Sequence, residues 1–247
     1  MRILLINPNT SQVLTEKLDE AARATLPPDV DLVSVTAEDG FPYISSRAEA
    51  HCAGVGVMDT LARLGGEFDA AVIAAFGDPG LLPAREAFDM PITGMTEAAM
   101  LSACMLGHRF AFVTFTPRMA PWYNEQVRQA QLTSRFSGTF TPDVPLGKIG
   151  EIDSDLREPL IAECHRAMEA GADVLILSGA PLAGMAPSLR GEIDAVLIDP
   201  VQAAVLQAAA LARLAPQGAS GGSYRRPPGK PSTGLPEALA RHIARED

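Results

Sequence analysis

The sequence predicts an α/β protein made of two similar halves with parallel strand pairing, and three observations carry that prediction. Short apolar runs rich in strand formers alternate with stretches of helical periodicity, the order that parallel sheets require. Runs such as VLIL (174–177) have no polar face, as in strands covered on both sides. The pattern then restarts near residue 109 and repeats the spacing of the first half.

RILLIN (2–7) is the first strand; it ends in the turn cluster NPNTS, which also supplies an N-cap for a helix from about Gln12. DLVSVTA (31–37), DAAVIAA (69–75) and MPITGM (90–95) are the next strands, with helical patterns between them. In the second half RFAFVTF (109–115), ADVLILSG (172–179) and DAVLID (194–199) read as strands, and APWYNEQVRQAQ reads as a helix. The halves can be aligned. DAAVIAAFGDPGL from Asp69 matches DVLILSGAPLAGM from Asp173 at an offset of 104, with Gly80 opposite Gly184. ITGMTEAAM from Ile92 matches LIDPVQAAV from Leu197 at an offset of 105, so one inserted residue accounts for the drift. Ala75 and Gly179 are then equivalent, each at the C-terminal edge of a central strand, where open α/β sheets bind ligands.

This alignment divides the chain into a first half at 1–96 and a second at 97–199. The helix at 200–214 is expected to pack back on the first half. Residues 215–247 form a Gly/Pro-rich tail with a short helix in LPEALARHIARED. Within the tail, PPGKPS is a poor phosphate loop: the required early glycine is replaced by Tyr224, and the Ser or Thr after the lysine by Pro231.

Composition narrows the function. A chain of 247 residues, 47% hydrophobic, can bury a substantial core. Its longest apolar stretches, such as Ala203 to Leu211, are too short to span a bilayer. A net charge of -10 opposes nucleic acid or an anionic membrane as the main partner and leaves a small molecule. Cys52, Cys104 and Cys164 are odd in number and far apart, which indicates neither a disulfide framework nor a zinc site. No metal is expected, and a reducing cytoplasm is the simplest location. The alanine-rich helix near the end allows close helix packing, and a homo-oligomer is expected.

The motifs INPNTS (6–11), AAFGDPGL (74–81), GMTEAAM (94–100), FVTFT (112–116) and LSGAPLAGM (177–185), taken together and in order, resemble the Asp/Glu/hydantoin racemase superfamily. The likeness is strongest to the hydantoin and allantoin racemase branch and runs from residue 2 to about 214. It implies two pseudo-symmetric α/β domains with parallel four-stranded sheets, a site in the cleft between them, and no cofactor. It also implies one cysteine in each half, on opposite sides of the substrate's chiral carbon. One thiolate removes the α-proton and the other thiol delivers one. Those two positions are Ala75 and Gly179 in this sequence, so both thiols are absent.

Other groups at the two strand ends remain candidates. Asn7, Asn9 and Thr10 stand where similar enzymes hold a carboxylate or ring amide, and they also suit turn formation and helix capping. Ala75, Phe76 and Gly77 line the first edge, and Gly179, Ala180 and Pro181 the second. The segment from Gly77 to Leu81 is expected to begin a helix whose N–H groups would stabilise an oxyanion. Thr114 and Thr116, two residues apart on a strand end, can point the same way. Tyr43, Ser45 and Ser46 are placed to close over a ligand. Two carboxylates are the acid/base candidates: Asp78, otherwise a helix cap, and Glu97, otherwise a first-turn glutamate on a helix dipole. The resemblance sets Glu97 near the floor of the site, where burial would raise its pKa. Three functions stay open: a racemase-like isomerase acting on a small ureide, cyclic imide or amino-acid derivative; a hydrolase or decarboxylase in the same cleft; and a non-catalytic ligand-binding homologue.

Overall fold

The computed structural model describes residues 1–142, 156–219 and 221–246. It contains two four-stranded parallel sheets. The first has strands β1 (Arg2–Asn7), β2 (Asp31–Thr36), β3 (Ala70–Ile73) and β4 (Ile92–Gly94) in the order β2-β1-β3-β4. The second has β5 (Phe110–Val113), β6 (Phe136–Phe140), β7 (Val174–Leu177) and β8 (Val196–Ile198) in the order β6-β5-β7-β8. The central strands β3, β5 and β7 are buried along their whole length, as their unbroken apolar runs require.

The strands end earlier than their apolar runs. After Ile73 the chain makes one more sheet bond, from Ala74 N–H to Ile6 C=O, and then turns, so Ala75 lies beyond the strand. Ser178 N–H makes the equivalent bond to Val113 C=O in the second sheet. Strand β6 was not expected from the sequence: FSGTF is half-buried throughout and has a glycine and two hydroxyl residues between its phenylalanines. An edge strand has a neighbour on one side only, so it needs no long apolar run.

The ladder registers show the internal repeat directly. Ile3 pairs with Ala70 and Phe110 with Val174, so the third strands match at an offset of 104 and the first strands at 107. The strand entries match too: the Asp69 carboxylate accepts the Arg2 N–H at 2.7 Å, and the Asp173 carboxylate accepts the Arg109 N–H at 2.8 Å. Gly80 and Gly184, opposite each other in the sequence alignment, have φ of 80° and 81°. At Gly80 glycine is needed twice over, because a Cβ there would also lie 2.9 Å from the Gly54 Cα.

Helices cover both sheets. The first sheet packs α1 (Gln12–Arg23) on one face and α2 (Arg47–Leu64) with α3 (Leu81–Ala87) on the other. Ser11 caps α1 through Leu14 N–H, and Ser46 caps α2 through Glu49 N–H. In the second half come α5 (Ala120–Gln129), α6 (Arg157–Glu169) and the short α7 (Ala186–Leu189).

The two remaining long helices cross over. Helix α4 (Met95–Leu106) follows β4 of the first sheet yet packs against β5 and β7 of the second. Helix α8 (Pro200–Leu214) follows β8 of the second sheet and packs against β1, β3 and β4 of the first. They also pack on each other, with Gln207 Nε2 donating to Ala98 C=O at 2.8 Å, and Thr93 Oγ1 on β4 donates to Ala204 C=O of α8 at 3.0 Å. Their alanines let the backbones approach, and the exchange merges most of the apolar interior into one cluster spanning both sheets. The tail returns over the first half, where α9 (Glu237–Ala244) packs on α2. There the His242 ring stacks on Phe88 with centroids 4.2 Å apart. Among the described residues no helix is long and apolar enough to cross a membrane.

Candidate active site

The two strand-end positions are closed. Ala75 is buried, and Gly179 has φ 126°, a conformation that side chains avoid. A Cβ at 179 would lie 2.6 Å from Phe115 Cε1, so an aromatic ring fills the space a side chain would need. The Phe115 ring in turn leans on Tyr43 at 6.1 Å between centroids. The Tyr43 hydroxyl hydrogen-bonds that of Tyr123, and burial pushes both phenols above their ordinary pKa, so the pair is neutral. Phe76 points into the core, edge-on to Phe112 and Tyr123 at 5.2 and 4.6 Å, and joins the first half to the second.

The polar candidates around this edge hold the fold together. Asn7 Nδ2 donates to Thr15 Oγ1 at 2.9 Å and to Ser11 C=O at 3.1 Å, while Asn7 Oδ1 accepts both N–H and Nδ2 of Asn9. Asn9 Oδ1 accepts Ile44 N–H at 2.8 Å and so anchors the loop that carries Tyr43. Thr10 N–H bonds Phe41 C=O in the same loop. The Glu49 carboxylate accepts the Ser45 N–H and hydroxyl, and Ser46 Oγ accepts Glu49 N–H; together these form the capping arrangement of α2. Thr114 Oγ1 donates to Ser178 C=O at 2.7 Å, and Thr116 opens the turn that leads to α5. Ala180 and Pro181 are buried in a 3-10 turn, and Lys17 Nζ donates to Pro181 C=O at 2.6 Å.

The loop after β3 differs from its expectation. Its helix starts only at Leu81, after the left-handed Gly80. The N–H groups of Gly77, Asp78 and Leu81 already have acceptors: Thr96 Oγ1, Ala75 C=O and Asp78 C=O. Those three N–H groups are engaged within the loop and with α4. Asp78 does cap a helix, but it caps α4: its two carboxylate oxygens accept Thr96 N–H and Glu97 N–H, each at 2.8 Å. The residue has φ 49°, which Asp tolerates better than most side chains. Burial pushes its carboxyl up to about 7; the two N–H donors oppose the shift, and the nearby Glu97 charge adds to it.

Asp78 opens onto a groove of about 560 Å³ between α2, the β3 loop, α3, α4 and α5. Val55, Met58, Leu82, Met100 and Trp122 give it apolar walls, and His51, Glu97, Glu125, Gln126 and Gln129 give it polar ones. The indole of Trp122 lies on the Gly77 backbone, in the space a Cβ would occupy. Arg47 spans from α2 to Glu125 on α5 as an ion pair. Glu97 is not buried on a floor: its side chain is 30% exposed and ion-paired with Arg85, whose Nε donates to Ile92 C=O at 2.8 Å.

The structure therefore brings Gly77, Asp78 and Glu97 together on the groove, while Asn7, Asn9, Ala75, Phe76, Thr114 and Gly179 lie outside its walls. Arg85 and Trp122 were not singled out from the sequence. Neither has a fixed spacing to Asp78; the only signal was a pair of charged residues, Arg85 and Glu86, inside the apolar run LLPAREAF. Cys52 is exposed on α2, and the buried Cys164 thiol is pushed up to about 12 by burial. Among the described residues no group of His, Cys, Asp and Glu is arranged to hold a metal.

The profile of the Asp/Glu/hydantoin racemase family matches residues 3–208. The chain belongs to this family. It is 33% identical to the hydantoin racemase of Paenarthrobacter aurescens, over 92% of this chain and 98% of that one. It is 32% identical to the hydantoin racemase of Pseudomonas sp. (strain NS671), over 98% of each chain. Among solved structures, allantoin racemase from Klebsiella pneumoniae superposes with a TM-score of 0.90 at 32% identity, covering 97% of this chain and 98% of that one. Membership supports racemase-type chemistry on a small molecule; the catalytic groups must be sought in this chain's own residues.

Proposed function

We propose that this protein is a cofactor-independent isomerase of a small carbon acid, a ureide, cyclic imide or amino-acid derivative, in which Asp78 replaces thiol chemistry. One observation carries the reading. Asp78 lines a groove of ligand size, and burial there pushes its carboxyl up to about 7. The names of the similar proteins support the substrate class.

A carboxylate with a pKa near 7 is a far stronger base than an exposed one and is still half ionised at working pH. It would take the α-proton as the C–H electron pair moves into the adjacent carbonyl to give an enolate. The proton then resides on Asp78. Return to the same face regenerates the substrate, and return to the other face after the planar intermediate turns gives the enantiomer. Apolar walls formed by Met58, Met100 and Trp122 strengthen these charge interactions by excluding water. Exposed Leu101, Met105 and Leu106 on α4 support assembly into a homo-oligomer, and the free thiols of Cys52, Cys104 and Cys164 support a reducing, cytoplasmic setting.

A second reading has one observation in its favour. Among the described residues that line the groove none is a cysteine, so one-sided proton delivery from Asp78, as in a decarboxylase, needs nothing the groove lacks. Proton NMR in D2O with 5-substituted hydantoins, allantoin and N-carbamoyl amino acids separates the two. Loss of the α-proton signal without a new product supports the isomerase, and Asp78→Asn is expected to slow it by about 10²- to 10⁴-fold. A new product without exchange would replace the isomerase with the lyase or hydrolase. Exchange undiminished in Asp78→Asn would remove Asp78 from the chemistry.

A further inference from the structure

The C-terminal tail reaches the groove through a chain of side chains. Tyr224 lies in the short turn Gly222–Tyr224, which packs on α3. Its hydroxyl lies beside the Arg85 guanidinium and favours its charged form. Arg85 is held on two further sides, by Ile92 C=O and by the Glu97 carboxylate. Glu97 closes the chain, since its N–H donates to Asp78 and its carboxylate stands beside that of Asp78 on the groove wall.

We propose that Arg85, with Tyr224 of the tail beside it, is a positioning residue that fixes the Glu97 carboxylate next to Asp78 and so sets the charge that Asp78 faces. Two carboxylates on one wall cannot both be charged without cost, and a guanidinium beside only one of them makes their environments unequal. Arg85 suits the role because its guanidinium meets two acceptors at once, Ile92 C=O through Nε and the Glu97 carboxylate through Nη2. The other charged or titratable groups facing Asp78 are Arg47 and His51 from α2 and Glu125 from α5; Arg47 and Glu125 largely satisfy each other. The tail thereby acquires a task that its Gly/Pro-rich sequence did not reveal. This inference rests on the assignment of acid–base work to Asp78, and its test reads protonation without substrate.

The test labels aspartate carboxyls with ¹³C in the full chain, assigns Asp78 from the Asp78→Asn protein, and follows its chemical shift from pH 4 to 9. Removing the Glu97 charge in Glu97→Gln is expected to lower the Asp78 midpoint by about one pH unit. Removing the Arg85 charge in Arg85→Gln is expected to raise it by a similar amount, and Tyr224→Phe to move it the same way by less. Arg85→Lys, which keeps the charge, is expected to restore most of the wild-type midpoint. A midpoint unchanged in both Glu97→Gln and Tyr224→Phe would overturn the proposal even if Arg85→Gln failed to fold. Absence of exchange activity in the wild type would instead remove the functional reading and leave the coupling intact.

Discussion

Both halves of the molecule tie the loop after their third strand to the helix that crosses to the other sheet, and both use a carboxylate, but from opposite ends. In the second half the carboxylate belongs to the helix. Asp199 caps α8 through Val201 N–H and reaches back to Gly184 N–H in the loop. In the first half the helix N-cap is Gly94, and the carboxylate comes from the loop as Asp78. A side chain at Gly94 would collide with that carboxylate, whose Oδ1 lies 2.5 Å from the Cβ position. The difference decides access. Asp199 is 3% exposed, with Lys17 nearby to offset its charge, whereas Asp78 opens on the groove beside a second carboxylate. A structural tie copied into both halves thus opens on a groove in only one of them.

The comparison predicts what happens when one half is given the residue of the other. Phe76 corresponds to Ala180, and only the phenylalanine spans the two sheets. Phe76→Ala is expected to cost about 3–5 kcal/mol in urea unfolding, the range for emptying a buried aromatic site. A loss below about 1 kcal/mol would show that the halves are joined mainly by the exchanged helices. Gly179 corresponds to Ala75, and Gly179→Ala is expected to cost about 1–3 kcal/mol from its backbone conformation, with the Phe115 clash in addition. In a Phe115→Ala background the clash disappears and only the backbone part remains, so the two losses should be non-additive. Asp199→Ala is expected to cost about 0.5–2 kcal/mol as a lost cap while leaving α-proton exchange unchanged.

The repeat was readable because a parallel sheet imposes it on the sequence: buried strands need apolar runs, and the loops need Gly at fixed places. The offsets of 104 and 105, and the pairing of Gly80 with Gly184, followed from that alone. Family membership was readable for the same reason, from motifs at strand ends. The edge strand β6 was not, because pairing on one side asks little of its side chains. The site was only partly readable. Asp78 and Glu97 stood in a recognisable motif, but whether a carboxylate faces solvent, a helix N-terminus or an arginine depends on partners distant in the chain. Arg85 is twelve residues from Glu97, and Tyr224 lies in a tail of turn-forming composition. Asn7, Asn9 and Thr114 show the converse: polar groups at strand ends suit a ligand and suit loop anchoring equally well, and here their bonds run within the protein.

The smallest effect is the most direct reading of the asymmetry between the two carboxylates. The Asp78 carboxyl moves from an ordinary 3.8 to about 7 on folding. A carboxyl raised in the folded state binds its proton more tightly there than in the unfolded chain. Its contribution to stability is therefore complete below about 4 and is lost as the pH rises through 7. The melting temperature of the wild type should fall between pH 5 and 8 by more than that of Asp78→Asn, which has no such proton to lose. All other groups are the same in both proteins, so the comparison concerns the difference in slope rather than the slope itself. Equal slopes would mean that Asp78 is ionised well below neutrality. The first half's carboxylate would then be a cap like Asp199, and the base would have to be sought elsewhere on the groove.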